Sequence, residues 1–165
     1  MMKPLERKLL CLIFQLPASL TKDEGLPKLE RLIPLLWKKY RYAIDVRHKS
    51  WFDKDVYKLL SRHGICLAWS QLDSLRTPTE LTTDFLYLRF IGDRNAEKDT
   101  GKIQKDKLED IRSWSRPAKE ANKKAKFGII SADDHYAGFG PDTANAFIKM
   151  VGLPERVWNE SPREG

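Results

Sequence analysis

The feature that most constrains this chain is a succession of short apolar runs, each followed by polar residues and then by a stretch with helical spacing. The runs are residues 9–14, 42–46, 65–70, 85–91 and 127–130. Runs this short suit strands, and a nearly unbroken one such as LLCLIF reads as a strand covered on both faces. Strand, helix, strand in repeated order implies a parallel sheet, because neighbouring strands that run the same way need a long crossover between them.

The intervening stretches carry helix signals. Thr21 followed by Glu24 has the spacing of a capping box. Leu26, Leu29, Leu32, Ile33, Leu36 and Trp37 then recur on one helical face and are assigned to the core, with Pro34 expected to kink or break the helix. Asp53 precedes a helix over 54–62 that places Val56, Leu59 and Leu60 together and ends at Gly64. Residues 71–83 show no helical face, so the alternation lapses there. Ile103, Leu108, Ile111 and Trp114 predict another helix, with Pro117 as its breaker. After the run at 127–130 comes a polar corner over 131–141. Pro141 and Asp142 then open a helix that Gly152 and Pro154 stop. One α/β domain over 1–154 is expected, with a polar tail over 155–165 that Trp158 docks.

The polar residues gather just after the strands. They are Gln15; Asp45, Arg47 and His48; Asp73; and Asp133, Asp134, His135 and Tyr136. In parallel α/β folds, ligands bind outside the carboxyl ends of the strands. Asp45 and Arg47 are two residues apart on a strand and point the same way, so the guanidinium can hold an anion while the carboxylate holds the guanidinium. Arg89 interrupts an apolar strand, where an arginine needs a partner. Candidate acid–base residues are therefore Asp45, His48, Asp73 and His135. Candidate ligand contacts are Gln15, Arg47, Trp69, Arg89 and Tyr136. The same side chains would serve equally as helix caps and as ion pairs closing one end of the sheet.

Composition narrows the classes. The 165 residues fit one domain, and 41% hydrophobic with 32% charged residues describes a folded core under a polar surface. No apolar run approaches the ~20 residues that span a bilayer. The basic, apolar N-terminus lacks a small-residue cleavage site, so it reads as a first strand. Both cysteines, Cys11 and Cys66, lie in strand-like runs without zinc spacing, which fits a cytoplasmic protein. A net charge of +7 permits nucleic-acid binding. The lysines over 98–126, however, read first as the solvated face of a helix and are not interleaved with aromatic residues. Phosphate-cradling glycine loops, the dinucleotide fingerprint and the serine-hydrolase elbow are all missing.

A full (β/α) barrel uses about 250 residues, roughly 31 per unit, so this chain has room for about five units. The expectation is an α/β, incomplete TIM-barrel-like (β/α) fold of about five mainly parallel strands with flanking helices. Such a sheet has free edges, which predict a homodimer. Four stretches in order strengthen this reading: FQLP at 14–17, YAIDVRHKSWF at 42–52, DFLYLR at 84–89 and HYAGFGPDTAN at 135–145. In these the chain resembles the domain-of-unknown-function 72, or YecE-like, family. The resemblance implies a TIM-barrel-like fold with polar residues at one mouth; it names no reaction, metal or cofactor. Two departures stand out. The family's amino-terminal turns, Gly-Trp-x-Tyr-like and Asn-Ser-x-Phe-Tyr-like, do not occur, so the chain looks like the family's carboxyl-terminal portion. Asp133 and Asp134 stand where relatives tend to carry asparagines. Three functions follow: a hydrolase-like barrel binding an anionic phosphate or sugar-phosphate, a basic nucleic-acid-binding module, or an inactive remnant.

Overall fold

The computed structural model describes residues 8–92 and 101–155. Most of the loop after Gly92, the start of the lysine-rich stretch and the docking of Trp158 lie outside the described residues. The elements are β1 Leu12–Gln15, α1 Lys22–Leu32, β2 Tyr42–Asp45, α2 Lys54–Arg62, β3 Ile65–Leu67, β4 Trp69–Gln71, β5 Phe85–Phe90, α3 Leu108–Asn122, β6 Phe127–Ala132, α4 Asp134–Ala137 and α5 Gly140–Met150. All strand pairs are parallel, in two three-stranded sheets ordered β1-β2-β3 and β4-β5-β6. Among the described residues no helix is long and apolar enough to cross a membrane.

The run at 65–70, which reads as one strand, forms two. Ile65–Leu67 pairs with β2, Trp69–Gln71 pairs with β5, and the Ala68 N–H between them donates to the Ile44 carbonyl at 2.9 Å. The segment after β4 is what permits the switch. Thr82 Oγ1 accepts from the Leu67 N–H and donates to the Ile65 carbonyl, both at 2.8 Å. Thr77 Oγ1 accepts from the Ser70 N–H at 2.7 Å. These two buried hydroxyls occupy backbone groups that would otherwise be orphaned inside the protein. This is the physical role of the stretch that lacks a helical face.

The helices follow their caps. Thr21 Oγ1 accepts from the Glu24 N–H at 3.5 Å, and α1 ends at Leu32, two residues before Pro34, in a 3-10 turn over Ile33–Leu35. The apolar stripe sinks only in part. Leu29 and Ile33 are buried, whereas Trp37 is 65% exposed because the turn rotates it off the helical face. Asp53 Oδ1 accepts from the Asp55 N–H at 2.8 Å to start α2, and Gly64 at φ +64° closes it. β1, expected to be covered on both faces, is an edge strand and is only partly buried. The polar corner at 131–141 contains α4, a helical turn that the run of acidic and aromatic residues does not reveal.

Pro117 does not break α3. A proline at this position cannot donate to the carbonyl of Ser113, four residues back. Arg76 supplies the missing donor: its Nη2 reaches the Ser113 carbonyl at 3.3 Å and its Nη1 reaches Ser113 Oγ at 2.6 Å. The same guanidinium lies 4.1 Å from the centre of the Trp114 ring.

Strand alternation separates two faces. Ile44, Val46, Ile65 and Leu67 pack under α1 and α2, while Leu86, Leu88 and Phe90 pack with Trp114 and Phe147 of α3 and α5. The opposite face is layered along the strands. Its first layer is apolar: Ala43, Cys66 and Phe85, flanked by Cys11, Ile13, Tyr87 and Phe127. Burial pushes the Cys11 thiol up to about 11 and the Cys66 thiol up to about 12, so both stay protonated. β2 separates their strands, and both cysteines are free. The next layer on this face is polar.

The Arg76 bridge predicts a coupling. Replacing Pro117 with Ala should stabilise the fold by about 1–3 kcal/mol. Arg76→Ala should cost about 1–2 kcal/mol in the native background and measurably less in the Pro117→Ala background, where the helix supplies its own donor. Urea unfolding of the four proteins checks this, and equal costs in both backgrounds would refute the bridge.

Candidate functional site

The polar layer is built by register. Gln15 lies beside Asp45 across β1 and β2, Ser70 lies beside Arg89 across β4 and β5, and Arg89 lies beside Ser131 across β5 and β6. Asp45 is fully buried, and three side chains converge on it. Arg47 folds back so that its Nε and Nη2 donate to Asp45 Oδ2 at 3.1 and 2.7 Å. Arg89 Nη1 donates to the same oxygen at 2.5 Å. Ser70 Oγ donates to Oδ1 at 2.8 Å. Gln15 Oε1 closes the ring, accepting from Arg47 Nη2 at 2.9 Å and from Arg89 Nη1 at 3.1 Å.

One carboxylate against two guanidiniums leaves a net positive charge at this spot. The two arginine side chains are 11% and 18% exposed, so that charge is only partly hydrated. Arg89 Nε is buried and meets no acceptor among the described residues. The cluster forms one wall of a cleft of about 460 Å³ at the carboxyl ends of the strands, lined also by Leu72, Asp73, Ser74, Ile91, Gly92 and Asp133. The Asp133 N–H donates to the Phe90 carbonyl at 2.9 Å, which fixes that residue at the end of β6. Gly92 is required where it stands. A Cβ there would overlap the His135 backbone, so only glycine lets the end of β5 pass α4.

The structure thus brings Gln15, Arg47, Asp73 and Arg89 to one cleft, with Asp45 buried behind the two arginines. It does not bring the other four candidates there. His48 Nδ1 accepts from the Ser50 N–H at 3.2 Å and meets Ser50 Oγ at 2.8 Å. Because Nδ1 accepts from the Ser50 N–H, the Ser50 hydroxyl, which also accepts from the Lys22 N–H, is placed to donate to it. His48 therefore caps the 3-10 turn Lys49–Trp51. Trp69 is 1% exposed, donates to the Glu80 carbonyl at 2.8 Å and stacks on Trp114. His135 lies on α4 behind Gly92, with Nδ1 buried and without a partner among the described residues. Tyr136 is buried against Phe90 beneath Lys107, and burial raises its hydroxyl above the ordinary phenol value. Asp73 is paired with Lys107 at 3.0 Å. Asp134 Oδ1 accepts from the Gly140 N–H, the first of α5, at 2.8 Å.

One residue of the site, Ser70, is not among those that the sequence singles out. Ser70 carries no special signal, being a serine at a strand end, although its parity with Cys66 places it on the polar face. Asp133 reads with Asp134 as one acidic pair, yet the first lines the cleft and the second accepts from the first N–H of α5. Among the described residues, no group of three or more His, Cys, Asp or Glu side chains is placed to hold a metal ion.

Asp45→Asn should destabilise the protein by about 2–4 kcal/mol, because it leaves two half-buried guanidiniums uncompensated. Adding Arg89→Leu should then cost less than the two single losses summed. Denaturant titrations measure both, and strictly additive losses would contradict the shared carboxylate.

Comparison with known proteins places this geometry. The family model "Protein of unknown function DUF72" matches residues 1–165. The crystal structure of a DUF72 family protein from Thermotoga maritima superposes with a TM-score of 0.72 at 24% identity, covering 91% of this chain and 61% of that one. One from Enterococcus faecalis gives 0.75 at 19% identity, covering 93% and 66%. The chain therefore spans somewhat less than two thirds of the length of these structures. No curated protein matches it. With the family model matching from end to end, the chain belongs to the DUF72 family.

Proposed function

We propose that this protein is a partial TIM-barrel-like, hydrolase-like member of its family that binds an anionic ligand, a phosphate or sugar-phosphate, at the carboxyl ends of its strands. The observation that carries the reading is the pair Arg47 and Arg89, fixed on a single buried carboxylate and lining a 460 Å³ cleft. A guanidinium already held by Asp45 loses little freedom when it binds a further anion, so the site is preorganised. The positive charge is local to the two guanidiniums, since Asp73 and Asp133 also line the cleft.

Roles divide accordingly. Arg47 and Arg89 hold the anion, and Gln15 keeps both side chains in register through its carbonyl oxygen. Asp133 also lines the cleft, where a carboxylate can accept a hydrogen bond from a ligand hydroxyl or serve as a general base. Asp73 is held by Lys107 and shapes the rim. Support comes from the layering of the strand face, apolar first and polar at the carboxyl ends, which is the arrangement of barrel sites.

Titrating inorganic phosphate and a small sugar-phosphate into the protein, followed by calorimetry and by NMR of the arginine side chains, tests this. Binding at millimolar or lower concentration is expected. It should strengthen as pH rises through about 6, where a phosphate monoester gains its second charge. Arg47→Met should weaken it about tenfold or more. Absence of any response at millimolar phosphate would overturn the reading.

A further inference from the structure

At the amino ends of the strands, opposite the cleft, a second polar and aromatic surface stands in the loop entering β2. Its sequence is WKKYR, residues 37–41. Trp37 is 65% exposed, yet its backbone is clamped. The Trp37 N–H donates to the hydroxyl of buried Tyr42 at 3.1 Å, and that hydroxyl donates back to the Trp37 carbonyl at 3.3 Å. The Tyr40 N–H donates to the same carbonyl at 3.1 Å. The rings of Trp37 and Tyr40 lie parallel within 7°, with centroids 6.2 Å apart. The Lys39 ammonium sits 4.9 Å from the Tyr40 ring centre and 5.5 Å from that of Trp37. Arg41 lies over Phe127, 5.0 Å from its ring centre, on the same end of the sheet.

An exposed indole adds little to the core, and here the backbone is fixed while the ring faces solvent beside a second aromatic ring and a cation. The arrangement answers a specific chemistry: flat, apolar faces that stack, interleaved with cations that meet phosphates. We infer that this corner is a contact site for single-stranded nucleic acid. Trp37 and Tyr40 stack on bases, while Lys38, Lys39 and Arg41 track the backbone. Bases offer a π face whatever their identity, so binding is sequence-tolerant, and the net charge of +7 steers the strand toward the protein. This surface is remote from Asp45 and does not depend on the cleft reading.

Fluorescence anisotropy of a short labelled oligothymidylate, titrated with the full chain at low salt, tests the inference. Binding is expected with a log–log salt slope of about −2 for three phosphate contacts on a single strand. Trp37→Ala should weaken it about fivefold or more while leaving the thermal midpoint unchanged, and Trp37→Phe should retain most of the affinity. Lys38→Gln should reduce the slope by about 0.7. Four results would overturn the inference: no binding at low salt, native affinity in Trp37→Ala, equal affinity for duplex DNA, or binding to anionic vesicles without binding to the oligonucleotide.

Discussion

The structure depends on one buried carboxylate. Asp45 is removed from water at the end of β2, and an ionised group there is tolerable only if its lone pairs are taken. Oδ2 receives Arg47 and Arg89, and Oδ1 receives Ser70. These bonds reach from β2 to the residues of β4 and β5, and Gln15 extends the network to β1. The carboxyl ends of four strands in two sheets are thereby joined through side chains, at the place where no backbone ladder joins β3 to β4 as neighbours. A network of this kind is costly to break at one member and inexpensive to keep whole.

The lapse in strand–helix alternation after β4 is part of the same design. A helix there would have left the bend at Ala68 with unpaired backbone groups. Instead Thr77 and Thr82 supply hydroxyls to both strand segments, and the chain between β4 and those threonines carries Leu72, Asp73 and Ser74 along the cleft. The irregular segment closes the strand ends and walls the site at once. Arg76, from the same segment, reaches α3 and supplies the donor that Pro117 lacks.

Much of this is legible in the residues. Parallel order, the caps at Thr21 and Asp53, and the stop before Pro34 follow from local chemistry that tertiary structure does not override. The meeting of Gln15, Asp45, Arg47, Asp73 and Arg89 follows from a rule of topology: in a parallel sheet, residues just after successive strands share one end. What is not legible depends on distant partners. Pro117 sits inside α3 because Arg76, far away in sequence, compensates it. Trp37 reads as core by helical period, but the 3-10 turn at Pro34 resets the phase. His48 and Trp69 lie near the site in sequence, yet one is committed to Ser50 and the other to the Glu80 carbonyl. Periodicity shows which face a side chain occupies and not which neighbour satisfies it.

The most direct test of this account is NMR of the arginine side chains in the unliganded protein. Arg47 Nε–H is bonded to Asp45 and Arg89 Nε–H is shut away from water, so both signals should exchange slowly, with restricted guanidinium rotation. Both signals should collapse to the averaged position of free arginine in Asp45→Asn. Fast exchange and free rotation at Arg47 and Arg89 in the native protein would contradict the central claim that one buried carboxylate holds these strand ends together.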